Sequence, residues 1–438
     1  MQRTREPRVH RCPACAAPLE VVDGAAEVHC SYCHAHVTIE RGAKANADRA
    51  PPPQRGGEAV LYVETATRAV SQAVRLVAIV FALGTLVALG IGWSLMREAP
   101  SSVGGSAPHF ATRTASPDQS LSLPGRCAVN QRVLIEGKTL ELDGVALVVD
   151  ANCKIEFRNC HITADKVVEA TSANVQIKVV ESTLIGRKVA LDLSRPNPKV
   201  EIDAKSLVQG ATAIAAGHNL VLTISGGAVV GERSAVATEG RATIKLEGGK
   251  ITGARNALTL GGQGDVFVSE GGTIEAKEAI TSDSGVKLRL DSGTIRAGRT
   301  AVRAARVEVE ATGEGSRIEA PTAIETKHNA TVELREGAAV KATRLAIDAR
   351  HSVELELEGG AIRSEKDGVK AGHSFSLVAR EGGLIQAAGW AVDAAHDVDV
   401  VLESSRIESG TTALKGRRAR KLEVDDASEI VGAQVFRR

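Results

Sequence analysis

Four cysteines near the N-terminus have the spacing of a metal site. Cys12 and Cys15 form one Cys-x-x-Cys pair, and Cys30 and Cys33 form a second pair after 14 intervening residues. Zinc takes four soft ligands in a tetrahedron, and two such pairs meeting across a short hairpin supply four thiolates. Two disulfides are the alternative pairing. The spacing predicts a zinc ribbon over residues 1–42 with structural Zn²⁺, which would contribute most of the folding free energy of so short a segment.

Three further cysteines, Cys127, Cys153 and Cys160, lie close together about a third of the way along the chain. They fall in the first coils of a long repeat, where a repeat protein needs a cap. One disulfide among them would staple that end. Three free buried thiols are the alternative, because an odd number of cysteines leaves at least one unpaired.

Histidines recur at one position of the repeat, at His218, His328, His351, His373 and His396. The last four occupy consecutive coils, so they should stack as a ladder along one edge. Imidazole binds metals and titrates near neutrality, which would make the ladder a metal-binding or pH-sensing strip. The alternative is a turn position near the left-handed conformation, which His tolerates. One histidine per coil does not by itself provide a closed coordination sphere. The spacing therefore favours the turn position over a metal site.

The element that must position the histidines and the three later cysteines is a 22-residue repeat. The pairs Ala213-Ile214, Ala235-Val236 and Ala257-Leu258 recur at this interval, and the phase continues to Ala413-Leu414 with occasional one-residue insertions. A fixed period in this range is typical of a solenoid, in which each repeat buries its apolar face against its neighbours.

Each coil has the pattern of short strands joined by turns. Ala242, Ile244 and Leu246 alternate with polar residues, which is the period of a half-buried strand, and Gly248-Gly249 follows as a turn. Short second and third strands follow the turn. We expect a mainly β fold, a parallel β-helix of about 13 coils and roughly 60 Å at the usual strand spacing.

The repeat resembles the right-handed parallel β-helix proteins typified by pectate lyases. The resemblance rests on the coil length and on the G-G-x-I pattern, seen at Gly248-Gly249-Lys250-Ile251 and Gly359-Gly360-Ala361-Ile362. It implies a right-handed parallel β-helix over residues 125–438. It implies little about activity, because that fold carries many functions.

The charged residues of the repeat do not favour catalysis. Sugar-cleaving enzymes need clustered carboxylates, as an acid/base pair or as calcium ligands. Here acidic and basic residues alternate along the strands, as in 287–291, and the adjacent pair Asp425-Asp426 falls in the final coil as a solvated cap. We therefore expect no enzyme and no catalytic residues; a polysaccharide lyase or hydrolase is the alternative.

A single apolar segment divides the chain. Residues 76–96 are uncharged and are bracketed by Arg75 and Arg97, with Trp93 near one end. About 20 apolar residues cross a bilayer as a helix, and tryptophan suits the interface. The segment begins too late for a simple cleavable signal peptide. It predicts one transmembrane helix.

The remaining segments connect these parts. We expect a Pro-rich linker at 43–57, a juxtamembrane segment at 58–75 and a Ser/Pro/Gly linker at 97–124. Arginines flank the span equally, so the ribbon decides the orientation, since zinc thiolates belong in a reducing compartment. The N-terminus would be cytosolic, and the β-helix would be periplasmic or surface-exposed in a bacterial inner-membrane protein.

These features predict a non-enzymatic envelope protein. The ribbon would contact a cytosolic protein, and the solenoid would bind or scaffold an envelope protein or polysaccharide. A transmembrane sensor is a further alternative. The net charge of +1 does not favour a nucleic-acid partner, and the arginines at 3–11 read as a solvated tail.

Overall fold

The computed structural model describes short N-terminal strands and one long C-terminal region. The described residues are 10–11, 18–19, 27–29, 36–38, 119–120 and 122–437. The chain divides into two compact units, 1–110 and 111–438. The predicted zinc ligands and the predicted span lie outside the described residues, namely Cys12, Cys15, Cys30, Cys33 and residues 76–96.

The N-terminal unit contains two short antiparallel strand pairs. Strand β1 (His10–Arg11) pairs with β2 (Pro18–Leu19), and β3 (Glu27–His29) pairs with β4 (His36–Thr38). Each pair encloses one Cys-x-x-Cys segment in the sequence.

The C-terminal unit is a parallel β-solenoid of about 14 turns over residues 125–436, with a 22-residue period. The sequence predicted about 13 coils beginning near Ala146. The additional turn lies before that point, because Gly125–Cys127 already pairs in parallel with Val145–Val149. At the usual strand spacing the turns stack over roughly 65 Å.

One strand from each coil forms the first sheet, which has 15 strands among the described residues. Its strands are β5 (Gln119–Ser120), β7 (Arg132–Glu136), β10 (Lys154–Arg158), β12 (Gln176–Val180), β14 (Lys199–Ile202), β16 (Leu220–Ser225), β18 (Ala242–Glu247), β20 (Gly264–Ser269), β22 (Gly285–Asp291), β24 (Arg306–Thr312), β26 (Ala330–Arg335), β28 (Val353–Glu358), β31 (Phe375–Arg380), β34 (Asp397–Leu402) and β36 (Arg418–Val424).

The rest of each coil forms the second sheet, whose strands bend around the core. These strands are β6 (Gly125–Cys127), β8 (Thr139–Glu141), β9 (Val145–Val149), β11 (His161–Ala170), β13 (Thr183–Leu193), β15 (Leu207–Ala216), β17 (Ala228–Thr238), β19 (Lys250–Leu260), β21 (Thr273–Ser282), β23 (Thr294–Ala304), β25 (Arg317–Thr326), β27 (Ala339–Ala349), β29 (Ala361–Ser364), β30 (Asp367–Ala371), β32 (Leu384–Ala387), β33 (Val392–Ala394), β35 (Arg406–Gly416) and β37 (Glu429–Phe436).

The core is a set of apolar columns that run from coil to coil. Ile244, Val266 and Leu288 lie in register on successive strands of the first sheet, and all three are buried. Lys245, between two inward residues of β18, is exposed. Each buried aliphatic side chain contributes about 1.5–3 kcal/mol relative to exposure, so the columns hold the coils together. The predicted alternation of inward and outward residues is confirmed.

The second and third predicted strands of a coil are joined in most coils. In β19 a single strand runs through a bend at Gly253 and continues to Leu260. A Cβ atom at Gly253 would collide with the backbone oxygen of Asn256, so only glycine allows the bend to be this tight. The three-strand prediction is therefore wrong for these coils and holds where the strand breaks, as between β29 and β30.

Candidate binding groove and corner columns

An open groove of about 1000 Å³ runs along the bend of the second sheet in the later coils. Its floor is a column of small residues: Ala297, Ala320, Ala342, Ser364, Ala387 and Ser409. From Ala320 to Ser409 these residues lie in register on successive strands, and Ala297 directly follows Arg296, which pairs with Glu319. Because their side chains extend little beyond Cβ, they leave the space that larger residues would fill.

One wall of the groove is a column of mostly charged residues, one from each coil. The column consists of Glu275, Arg296, Glu319, Lys341, Arg363, Gln386 and Glu408. A guanidinium nitrogen of Arg296 lies 3.6 Å from a Glu275 oxygen and another lies 3.2 Å from Glu319. Lys341 Nζ lies 3.8 Å from Glu319. The alternating charges largely neutralise one another along the wall.

The carboxylates of the wall are arranged as ion-pair partners. Lys250 donates a hydrogen bond that, with the positive charge of Arg296, holds the pKa of Glu275 below its usual range despite partial burial. A general acid at neutral pH needs a raised pKa. Glu275 is therefore held as the ionised partner of two cations, which is the opposite of what a general acid needs.

Two charged residues that line the groove have no ion-pair partner among the described residues. Arg363 and Glu365 are both exposed. A ligand in the groove would meet the Arg363 guanidinium without displacing a protein carboxylate. Arg363 is therefore the group in the wall most available to a ligand.

The last four histidines of the column form two ring pairs at the corner that leads into the first sheet. The ring centroids of His328 and His351 are 5.4 Å apart, and those of His373 and His396 are 4.5 Å apart and stacked. The His351 N–H donates to the His328 carbonyl (3.2 Å), and the pattern continues from His373 to His351 (2.8 Å) and from His396 to His373 (2.9 Å).

The turn explanation of this column needs correction. None of the five histidines has a positive φ, so the position is not left-handed; beside His218 it is Asn219 that has φ 59°. His218 itself lies over Gly240 of the next coil, where a Cβ atom would collide with the ring. Among residues 122–437, no group of three or more His, Cys, Asp or Glu side chains converges as a metal site. The stack is built by backbone pairing and ring contact.

The same corner contains an asparagine ladder in the early coils, which the sequence reasoning missed. It comprises Asn130, Asn152, Asn174, Asn197 and Asn219, each with a positive φ. Each side-chain amide from Asn152 onwards donates to the carbonyl oxygen of the preceding asparagine, at 2.9–3.1 Å. The signal was present in the sequence, since these residues recur every 22 or 23 positions.

The three cysteines of the first coils do not behave alike. Cys127 and Cys153 form a disulfide that joins adjacent coils, with a Cα–Cα distance of 6.3 Å. Cys160 is a free, buried thiol, and its Sγ lies 3.2 Å from the Ile135 carbonyl oxygen. One disulfide and one free thiol therefore lie at the N-terminal end of the solenoid.

Similarity to known proteins does not identify the chain. No protein family, curated protein or solved structure matches the chain. Within the part of the chain that the structure describes, no helix is long and apolar enough to cross a membrane.

Proposed function

We propose that the protein is a non-enzymatic, membrane-anchored scaffold of a bacterial envelope, whose right-handed solenoid binds an elongated partner along the groove. The observation that carries the proposal is the groove itself. It spans successive coils, has a floor of small residues and has a wall whose carboxylates are mostly ion-paired. A long shallow surface of this kind suits an extended envelope protein or polysaccharide.

The remaining parts of the proposal come from the sequence. Residues 76–96 would anchor the chain, and the solenoid would lie in the periplasm or at the surface. The ribbon at 1–42 would hold Zn²⁺ through Cys12, Cys15, Cys30 and Cys33 and would contact a cytosolic protein. The antiparallel strand pairs that enclose both cysteine pairs support a ribbon.

A cross-linked pull-down from native membranes tests the role of the solenoid. We expect deletion of the solenoid and deletion of the ribbon to remove different sets of partners. Within the groove, Arg363→Glu should remove the solenoid partners, because it reverses a free charge on the wall. Lys178→Glu is the matched control, since Lys178 is also exposed but lies on the first sheet.

Two outcomes would contradict the proposal. One is retention of every partner after the solenoid is deleted. The other is cleavage of an envelope polysaccharide by the purified chain, which would support the lyase or hydrolase alternative. The zinc ribbon is tested separately by metal analysis, in which the double variant C12S/C30S should lose the bound zinc of the full chain.

A further inference from the structure

A column of cations lies along the bend of the second sheet in four successive coils. It consists of Arg233, Arg255, Lys277 and Arg299, which we call the basic column. Gly231 pairs with Gly253 and Ser234 with Asn256, so Arg233 and Arg255 occupy the same position of neighbouring coils. The pairings on either side of Lys277 and Arg299 place these two in the next coils.

The basic column has little compensation within the protein. All four side chains are exposed. Arg299 contacts the Glu278 carboxylate at 3.2 Å, whereas the other three form no ion pair among the described residues. The residues at the bend of these coils are 232–233, 254–255, 277 and 298–299. They include a single carboxylate, Glu232, and Glu278 directly follows Lys277.

This arrangement is unfavourable for the isolated fold. Like charges on neighbouring strands destabilise a sheet, and strands here are about 4.8 Å apart. The groove wall shows that the same coils can alternate charges, since Arg296 lies between Glu275 and Glu319. No other column of residues 122–437 carries four cations in succession. The basic column is therefore better explained by an external anion than by the needs of folding.

We propose that the basic column binds a linear phosphate polymer that runs along the bend. Guanidinium groups bind phosphate oxygens through two parallel hydrogen bonds, and three of the four cations are arginines. The bend then continues into the groove, whose lining includes Gly298, Pro321 and Thr343. A polymer anchored on the column would thus pass directly into the groove.

The same surface does not suit single-stranded nucleic acid. Single strands are held by aromatic side chains that stack on the bases as well as by positive charge. The bend residues of the four coils at 232–233, 254–255, 277 and 298–299 include no aromatic residue. The ligand is therefore a phosphate polymer without bases, which names the partner class of the proposed binding function and rests on it.

Binding of long-chain inorganic polyphosphate to the purified full chain tests the proposal. The triple variant R233Q/R255Q/K277Q should weaken binding at least tenfold at low salt. It should also reduce the slope of log affinity against log salt by about 2, which corresponds to three lost contacts at about 0.7 each. The variant R233K/R255K keeps the charge and loses the planar forks, so its affinity should be intermediate.

The matched control is K154Q/K178Q/K245Q, which removes the same charge from exposed lysines of the first sheet. It should bind polyphosphate within about twofold of the unaltered chain, since these lysines lie on strands of the first sheet and not at the bend. Equal weakening by both triple variants would overturn the proposal. Tighter binding of a base-containing single strand or of a polyuronate than of polyphosphate would overturn the assignment to phosphate.

The two proposals fail in different ways. If the solenoid deletion leaves all partners in place, the binding function itself is wrong. If that deletion removes partners but R233Q/R255Q/K277Q binds polyphosphate like the unaltered chain, only the basic column has been misassigned.

Discussion

The corner that leads into the first sheet is built from asparagine amides in the first coils and from stacked imidazoles in the last. In the early coils, the backbone N–H of Asn130 donates to the Ala151 carbonyl of the following coil (3.0 Å). In the late coils, the His351 N–H donates to His328 of the preceding coil (3.2 Å). In the early coils this corner is a left-handed turn held by side chains. In the late coils the same corner continues the parallel backbone pairing.

The two ends of the solenoid differ in a similar way. The first coils are joined by the Cys127–Cys153 disulfide. The last coil has no neighbour among the described residues, and its inward-column residues Leu422 and Val424 are 39% and 41% exposed. A disulfide therefore reinforces the first coils, whereas the last coil leaves part of its inward column exposed.

Removal of the disulfide should have the largest effect on stability, and it should act on the first coils rather than on the last. The double variant C127S/C153S should lower the free energy of unfolding of the first coils by about 2–4 kcal/mol, because it releases a loop closed across 26 residues. Hydrogen exchange resolved by peptide would measure it. The control C160A removes a thiol that lies outside the disulfide. If C127S/C153S lost as much protection in the last coils as in the first, the comparison between the two ends would be contradicted.

Interruption of the asparagine ladder should have the next largest effect. Asn174→Ala removes hydrogen bonds to Asn152 and Asn197 and leaves φ at 60°, which alanine disfavours. We expect a loss of about 2 kcal/mol, combining roughly 1 kcal/mol of strain with two exposed hydrogen bonds. Asn174→Gly relieves the strain and should lose less. Equal destabilisation by both variants, measured in denaturant, would show that the conformation is unimportant.

The histidine stack should matter less than the ladder. His373→Ala removes the ring contact with His396 but leaves the backbone bond, so we expect a loss of about 0.5–1 kcal/mol. His161→Ala, an exposed histidine of β11, is the control. A loss larger than that of Asn174→Ala would mean that ring contact, and not backbone pairing, holds the late corner.

The smallest effect should be electrostatic, at Asp397. The hydrogen bond from Arg418 lowers the pKa of Asp397, and the charges of Arg420 and His396 lower it further. Since the folded pKa lies below the unfolded value, this stabilisation is full above the unfolded pKa and is lost as the pH falls through the folded pKa. His396→Gln should raise the pKa of Asp397 slightly and Arg418→Gln should raise it more, as followed by carboxyl NMR. The reverse order would contradict the assignment.

Much of the fold could be predicted from local patterns. The alternation around Ile244 specified which face of each strand is buried, because a strand directs successive side chains to opposite sides. The merging of two strands through Gly253 could not be predicted in the same way. It depends on how closely the backbone approaches Asn256 in the folded coil.

The candidate site was harder to predict than the fold. The groove wall joins Glu275, Arg296 and Glu319, which are 21 and 23 positions apart and become neighbours only through the coil register. The histidine column was found by counting positions, but its backbone conformation was wrongly predicted. The asparagine ladder recurs just as regularly in the sequence, but an amide neither titrates nor is a preferred metal ligand, so residue type alone did not indicate a role.

The sequence by itself determined the repeat and the buried columns, because these depend on residue type and on spacing along the chain; the zinc ribbon and the transmembrane helix stay predictions from the same kind of pattern. Only the tertiary structure decided that Cys127 pairs with Cys153, that Arg363 lines a groove without an ion-pair partner among the described residues, and that four cations align along the bend. Those features arise from contacts between coils, and one-residue changes in coil length shift which side chains become neighbours.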